Sequence, residues 1–171
     1  NAFELGLILH GDNGETWYFS TPIKQITDIN KISIQHSENV EGIDLTVTEL
    51  TLSETGVSIS YESSEEGTDF ELSRGGYIEF LMVDQDGNEI MGHSGEITGK
   101  LLKNSIVFKS NKKFDPIDSG VHELTITPYL ALPTDGGGVE FDENDESREL
   151  EFKGDSLQPV EFDSFKVKIP Q

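Results

Sequence analysis

The chain has 171 residues, with 12 lysines and arginines against 33 aspartates and glutamates, and a formal net charge of −21. So negative a chain is repelled by phosphate backbones and anionic membrane surfaces, which excludes nucleic acid as a partner and membrane contact by these residues themselves. Cysteine is absent, which excludes disulfides and thiolate metal sites. No apolar run approaches the roughly 18 residues that a membrane span requires.

The first segment of the chain has the pattern of a β-hairpin. Apolar side chains occupy every second position over Phe3–Leu9, and the turn-forming run 11–14 leads into a second extended segment at 16–23. Alternation of period two is typical of a β-strand with one buried face. We assign residues 1–35 to this hairpin or to the end of a preceding β-domain, with one or two helical turns over 23–30.

The next segment alternates as well, with one interruption. A turn at 41–42 leads into apolar residues at every second position over Ile43–Val47, and the alternation then resumes out of phase at Leu50. The change of phase predicts a β-bulge near residues 48–49. The run 57–61 predicts an antiparallel strand with one face in water.

The second half of the chain adds further strands. The run 77–83 is apolar on both faces and predicts a central strand, and the Asp-Gly pair within 84–89 predicts a hairpin turn after it. Other strands are predicted at 105–109, 121–127, 138–141, 148–152 and 165–169.

The number and spacing of these strands predict the fold class. We expect an all-β protein, an antiparallel immunoglobulin-like β-sandwich over residues 36–171 with an added N-terminal hairpin. The antibody variety is excluded, because there is no cysteine pair and the single tryptophan, Trp17, lies near the N-terminus.

Residues that could support catalysis lack the context that catalysis needs. The run 92–96 nearly matches the sequence motif of a nucleophile elbow, but Glu96 replaces the final glycine and the motif's strand-turn-helix context is not predicted here. We interpret this run as a flexible loop. Acidic residues occupy turns or the polar phase of strands, where they stay ionised and cannot serve as a general acid. The sequence therefore predicts no catalytic residues, no cofactor and no enzyme activity.

The histidines and two acidic loops are the candidates for metal binding. The four histidines have no ligand spacing, and His122, in phase with Leu124, predicts a histidine at the edge of the core. The loops 84–88 and 142–146 carry alternating oxygen donors, as hard cations require, but neither matches the twelve-residue EF-hand loop. Asp142, Asn144 and Glu146 are weak candidates for a calcium site of another kind.

Basic residues are unevenly distributed. Five of the twelve crowd into one stretch: Lys100, Lys103, Lys109, Lys112 and Lys113. The first interpretation is a solvated surface with charge compensation inside the molecule. The alternative is a basic strip that docks an anionic partner.

Five runs carry a resemblance to a known family. The run 14–23 (GETWYFSTPI) resembles the strand that closes the first extracytoplasmic domain of membrane-anchored, anti-sigma-factor-like proteins from spore-forming Gram-positive bacteria. The runs 41–61, 80–87, 121–129 and 165–170 resemble the second, immunoglobulin-like domain of those proteins, a domain of unknown function. No site residues transfer, because the ligand of that domain is not known.

The resemblance implies a non-catalytic sensor or spacer on the extracellular face of the cell membrane, within a single-pass regulator of a sigma factor. We expect the partner to be an unknown extracellular ligand or protein, and the sigma factor to bind only a cytoplasmic segment that these residues do not contain. The alternative is a carbohydrate-binding or adhesion-type cell-surface sandwich, with or without stabilisation by calcium. That alternative needs exposed aromatic rings aligned on one face.

Overall fold

The computed structural model describes residues 2–68, 73–131, 137–141, 147–151 and 160–170, with backbone alone over 137–141 and 147–151. The strands in this part of the chain are β1 (Ala2–His10), β2 (Thr16–Lys24), β3 (Ile29–Val40), β4 (Ile43–Ser53), β5 (Gly56–Glu66), β6 (Ile78–Asp84), β7 (Gly92–Leu102), β8 (Ser105–Phe114), β9 (Glu123–Leu130), β10 (Gly137–Phe141), β11 (Ser147–Glu151) and β12 (Phe165–Lys168). A 3-10 turn (Arg74–Tyr77) precedes β6. Within the described residues no helix could cross a membrane.

Two antiparallel sheets form the body of the molecule. The larger sheet has the order β3-β4-β5-β8-β7, and the smaller has the order β12-β9-β6. Two separate hairpins, β1–β2 and β10–β11, complete the described strands. The prediction of an all-β, antiparallel sandwich is confirmed. Its immunoglobulin-like topology stays a prediction, and so does the division of the chain at residue 35, which falls within β3.

The core lies between the two sheets. Alternate side chains of β4 and β5 face those of β6 and β9, because successive residues of a strand point to opposite faces. The buried apolar residues of this core are Ile43, Leu45, Val47, Leu50, Leu52, Val57, Ile59, Tyr61, Ile78, Phe80, Met82, Phe114, Val121, Leu124, Ile126, Leu130, Val160, Phe162 and Val167.

A β-bulge keeps both halves of β4 in this core. The pairing of β4 with β5 shifts between Val47 and Glu49, which leaves Thr48 as the extra residue. Its hydroxyl donates to the carbonyl of Ser60 at 3.1 Å. Because a bulge resets the alternation, Val47 and Leu50 are both buried. The predicted bulge is confirmed.

Two local predictions are wrong, and a third, the hairpin turn after β6, is confirmed for the turn itself. Residues 25–28 are irregular and residues 29–30 are extended, so no helical turn forms over 23–30. The run 77–83 was predicted to form a central strand, but among the described strands β6 lies at the edge of the smaller sheet and β9 is its central strand. The turn at 84–88 forms, but only the single bridge between Val83 and Glu89 follows it, since the chain then crosses to the larger sheet.

The predicted flexible loop over 92–96 is also wrong. These residues begin strand β7, which pairs with β8 and has a bulge between His93 and Glu96. A β-carbon on Gly95 would lie 1.9 Å from the carbonyl oxygen of Asn111. The glycine is therefore required by the close approach of two backbones rather than by flexibility.

Candidate interaction surfaces

The N-terminal hairpin has one face that is almost entirely apolar. The register of β1 with β2 places Leu7 opposite Phe19 and Leu9 opposite Trp17. Phe3 and Leu5 continue the same face. Each of these six side chains is between 46% and 58% exposed. They lie side by side along the ribbon and stay outside the core.

Such a face has the size and composition of a docking surface. A two-stranded hairpin alone is marginally stable in water, and three or more strands or a packed layer are needed to stabilise it. Six large apolar side chains, each about half exposed, amount to a patch of several hundred Å², the size that marks interaction surfaces. The hairpin is therefore the strongest candidate for a docking surface in the described chain.

A cleft of about 430 Å³ opens where the edge of β6 meets the start of β7. Leu81, Met91 and Tyr129 contribute apolar surface, while Glu79 and Lys112 form an ion pair in the cleft. These two charges therefore compensate each other within the molecule, and Glu89 is a further carboxylate in the lining of the cleft.

The remaining polar groups of the cleft do not form a catalytic set. The imidazole of His93 contacts the carboxylate of Asp115, with 2.7 Å between Nε2 and Oδ1. Ser94, the would-be nucleophile, lies in the bulge of β7, and no hydrogen bond joins it to His93 in the described part of the chain. Both members of the His93–Asp115 pair are about half exposed. The geometry therefore gives no support to a hydrolase.

A second groove, of about 500 Å³, lies between β3 and β12. The ring of His36 stacks on Phe165, with centroids 4.2 Å apart, and its Nε2 contacts the Glu38 carboxylate. The other oxygen of Glu38 accepts the backbone N–H of Asp163 at 2.9 Å. These contacts join the edges of the two sheets, which gives His36 and Glu38 a structural role.

An arginine anchors the 3-10 turn to the larger sheet. Arg74 donates from Nε to Glu65 at 2.9 Å and from Nη2 to the carbonyl of Glu41 at 2.8 Å. The hydroxyl of Ser63 donates to the carbonyl of Gly75 at 2.7 Å. Arg74 is 18% exposed, so this cation is held in place and is not presented to a partner.

Histidines do not assemble a metal site in the described chain. His10 contacts the hydroxyl of Thr16, while His122 is exposed. The prediction of a core-edge position for His122 is wrong, because Val121 is buried and the regular alternation starts only with β9. Within the described residues no group of three histidine, aspartate or glutamate side chains could hold a metal ion.

The first acidic loop stabilises its own turn. Asp84 accepts from the backbone N–H groups of Asp86 and Asn88 through Oδ1, and from the Asn88 side chain through Oδ2. The Asn88 amide, followed by these backbone donors, lowers the pKa of the Asp84 carboxyl. Both carboxylate oxygens of Asp84 therefore already accept hydrogen bonds within the turn. The second candidate set, Asp142, Asn144 and Glu146, lies outside the described residues.

Cross-strand ion pairs compensate part of the acidic surface. Lys109 pairs with Glu62 at 2.7 Å, and Lys31 pairs with Glu49 at 2.8 Å. The Lys31 ammonium lowers the pKa of the Glu49 carboxyl, as that of Lys166 does for Glu123. Internal compensation is thus confirmed for Lys109 and, through Glu79, for Lys112.

Aromatic rings do not form a binding platform among the described residues. Trp17 and Tyr18 point to opposite faces of β2 in the N-terminal hairpin, and Tyr129 lies on β9 of the smaller sheet. Tyr61 is buried, and its burial raises its pKa to about 12. Two ring contacts lie inside the fold rather than on its surface, the stack of His36 with Phe165 and the edge-to-face pair of Tyr61 with Phe80.

Comparison with known proteins adds a family and a fold. The model of a family of unknown function, DUF5643, matches residues 29–169. A crystal structure of a conserved domain protein from Bacillus anthracis is similar, with a TM-score of 0.52 and 17% identity. The similarity covers 92% of this chain and 54% of that one, so this chain spans about half of its structural neighbour. No curated protein matches the sequence.

Proposed function

This chain belongs to the DUF5643 family of unknown function, and from that premise we propose that it is a non-catalytic sensor or spacer domain on the outer face of a cell membrane. It acts within a membrane-anchored regulator of a sigma factor, as the resemblance of residues 14–23 implies. It binds no cofactor, and the sigma factor binds a different, cytoplasmic segment of the regulator.

One observation carries the proposal: the N-terminal hairpin presents an apolar face that its own sandwich leaves uncovered. Trp17, Phe19 and Leu7 lie on that face at about half exposure. The hairpin also precedes the family match, which begins at residue 29. A neighbouring β-domain of the same regulator would cover these side chains and fix the sandwich at a set distance from it.

The paired charges support a role in binding rather than catalysis. Glu79, Asp115 and Glu65 each contact a basic side chain of the same molecule. A general acid or base needs a group that is free to exchange a proton with a substrate. Two surfaces therefore remain for function: the apolar face of the N-terminal hairpin and the exposed edge of the larger sheet. Both are suited to binding a protein partner.

Location is tested by labelling a single cysteine. Because the chain has no cysteine of its own, Glu54→Cys in the exposed β4–β5 turn introduces one thiol. We expect a membrane-impermeant maleimide to label it in intact cells that produce the full-length regulator, with the parent protein as background. Labelling only after lysis would contradict the extracellular location.

Regulation is tested on the hairpin face. Leu7→Glu and Phe19→Glu put charges on the apolar face, whereas Tyr18→Glu puts one on the opposite face as a matched control. We expect the first two to raise transcription from a sigma-dependent promoter several-fold, and the control to leave it unchanged. If all three behave as the wild type while the protein stays at normal abundance, the regulatory role is wrong.

The carbohydrate-binding alternative stays a prediction without support from ring geometry. A glycan array probed with the purified chain tests it directly. We expect no sugar to bind above background, and binding that is lost in Trp17→Ala would replace our proposal by a carbohydrate-binding one.

A further inference from the structure

Strand β7 is a long and accessible edge. It pairs with β8 on one side and is the last strand of the larger sheet on the other. All eleven of its residues are exposed, and Ile97, Leu101 and Leu102 are between 43% and 50% exposed. Natural proteins rarely leave such an edge without protection, because its free N–H and C=O groups attract another strand.

The hairpin turn determines which backbone groups of β7 are free. Lys103 and Asn104 form a two-residue turn between Leu102 and Ser105. In such a hairpin the flanking pair is hydrogen-bonded and the bonding alternates from there. The backbone N–H and C=O groups of Thr98 therefore bond to β8, and so do those of the other even-numbered positions from 96 to 102. The odd positions between them aim their N–H and C=O groups outward.

We propose that β7 pairs antiparallel with β7 of a second copy of this chain, across a two-fold axis at Thr98. This register sets Ile97 opposite Gly99 of the second copy, and the reverse, so that outward-facing groups meet and both pairs are hydrogen-bonded. The two larger sheets then join into one ten-stranded sheet. The proposal does not depend on the function proposed above.

Charge selects this register. Glu96 and Lys100 lie on the same face of β7, two residues on either side of Thr98, and neither has an ion-pair partner among the described residues. In a pair centred at Thr98, Glu96 of each copy faces Lys100 of the other. These positions are not hydrogen-bonded, and there cross-strand side chains approach most closely.

Other registers of the β7–β7 pairing are less favourable. A shift of the pairing by one residue would set outward-facing groups against positions that already bond to β8. A centre at Lys100 or at Glu96 would put like charges directly opposite each other, which is destabilising. A centre at Gly99 or at Ile97 leaves both charges facing uncharged side chains. The Thr98 register is the one that pairs opposite charges twice.

The inner face of β7 also gains from pairing. Ile97 and Leu101 point to the same side as Phe108, which is buried, yet neither belongs to the core and both are close to half exposed. A second β7 alongside would cover part of both side chains. This burial favours association in spite of the charge of −21 on each copy, which is screened beyond about 8 Å at physiological salt.

The test is sedimentation of the 171-residue chain over a range of concentrations at physiological salt. We expect a dimer of twice the 19.0 kDa chain mass to form as the concentration rises. Glu96→Lys and Lys100→Glu each replace two attractive pairs by two repulsive ones, and each lowers the dimerisation constant roughly tenfold or more. Lys113→Glu, which makes the same charge change on exposed β8 surface, leaves it unchanged.

Mixing the variants provides the decisive result. A copy with Lys at 96 and 100 faces a copy with Glu at both positions, so the mixture of Glu96→Lys with Lys100→Glu restores the dimerisation that each variant alone has weakened. A chain that stays monomeric at all concentrations overturns the proposal. So does a dimer that both charge reversals leave intact, since association would then use another surface.

Discussion

The side chain of Tyr61 joins the two sheets of the sandwich, because its hydroxyl on β5 donates to the carbonyl oxygen of Ile78 on β6 at 3.0 Å. The ring of Tyr61 packs edge-to-face on Phe80, with centroids 4.9 Å apart. A single residue thus supplies apolar area, an aromatic contact and a buried hydrogen bond between layers. The bond therefore helps to fix how the two sheets align.

The first prediction concerns that hydrogen bond. Tyr61→Phe keeps the ring but removes the donor, which leaves the Ile78 carbonyl without this buried partner. We expect a loss of about 1 kcal/mol in the free energy of unfolding, measured by urea denaturation at neutral pH. Tyr18→Phe, a change at a 76% exposed ring, is the matched control and should have no effect.

The second prediction follows from the pKa of Tyr61. Burial raises it from 10 to about 12, so the folded state holds the proton more tightly than the unfolded state. This contribution to stability is complete below pH 10 and is lost as the pH rises to 12. The difference corresponds to roughly 3 kcal/mol. Because this loss exceeds the roughly 1 kcal/mol by which the hydrogen bond favours the wild type at neutral pH, the stabilities of the wild type and Tyr61→Phe, measured by urea denaturation between pH 9 and 12, should cross, and parallel curves would contradict the assignment.

Strand positions were predictable where alternation is local and strong. The phase change between Val47 and Leu50 was enough to predict the bulge at Thr48, because burial of alternate residues leaves a direct trace in the sequence. Strand β7 left no such trace. Its residues face water, and backbone hydrogen bonds to β8 hold it rather than burial of its own side chains.

Neighbours of a strand were harder to predict than the strand itself. The run that forms β6 is apolar on both faces, yet Leu81 is 41% exposed at the edge of the smaller sheet. The alternation and composition of a run indicate which of its side chains are buried, but they do not indicate which strands lie beside it. In the same way, the pattern over Phe3–Leu9 predicted a hairpin but could not predict that its apolar face lies outside the core.

The third prediction compares two glycines with positive φ. A β-carbon at Gly56, with φ of 144°, would lie 2.4 Å from the carbonyl oxygen of Phe114, whereas one at Gly42, with φ of 85°, meets nothing within 4 Å. We expect Gly42→Ala to cost about 1–2 kcal/mol from backbone strain alone. Gly56→Ala should cost about 3 kcal/mol or more, because the β5–β8 pairing must also shift.

Urea denaturation at neutral pH measures both costs, and Gly6→Ala serves as the control, since a β-carbon there also meets nothing within 4 Å and its φ is not in the left-handed region. Equal losses at Gly42 and Gly56 would show that the backbone contact at Phe114 is not a constraint.

The fourth prediction concerns Asp84, whose carboxylate holds the turn after β6. Hydrogen bonds from Asn88 and Asp86 lower its pKa below 3.8. Its contribution to stability is therefore present above pH 4 and is lost as the pH falls through the lowered pKa. We expect Asp84→Ala to lower the melting temperature at pH 7, with a difference that narrows below pH 4. Carboxyl titration by NMR measures the pKa directly, and an ordinary value would contradict the turn geometry.

The fifth prediction concerns the hairpin as a unit. Its side chains lie outside the core, so deletion of residues 2–24 should change the free energy of unfolding of the sandwich by less than about 1 kcal/mol. Leu50→Ala, which empties a fully buried site, should cost about 2–5 kcal/mol and shows that the assay detects core damage.

Removal of the hairpin should also lower the binding of a dye that reports exposed apolar surface, because Phe3, Trp17 and Phe19 leave with it. Both outcomes distinguish a docking element from a structural one. A loss of several kcal/mol on deletion would mean that the hairpin packs on the sandwich in solution. Its apolar face would then be part of the fold and no longer available to a neighbouring domain.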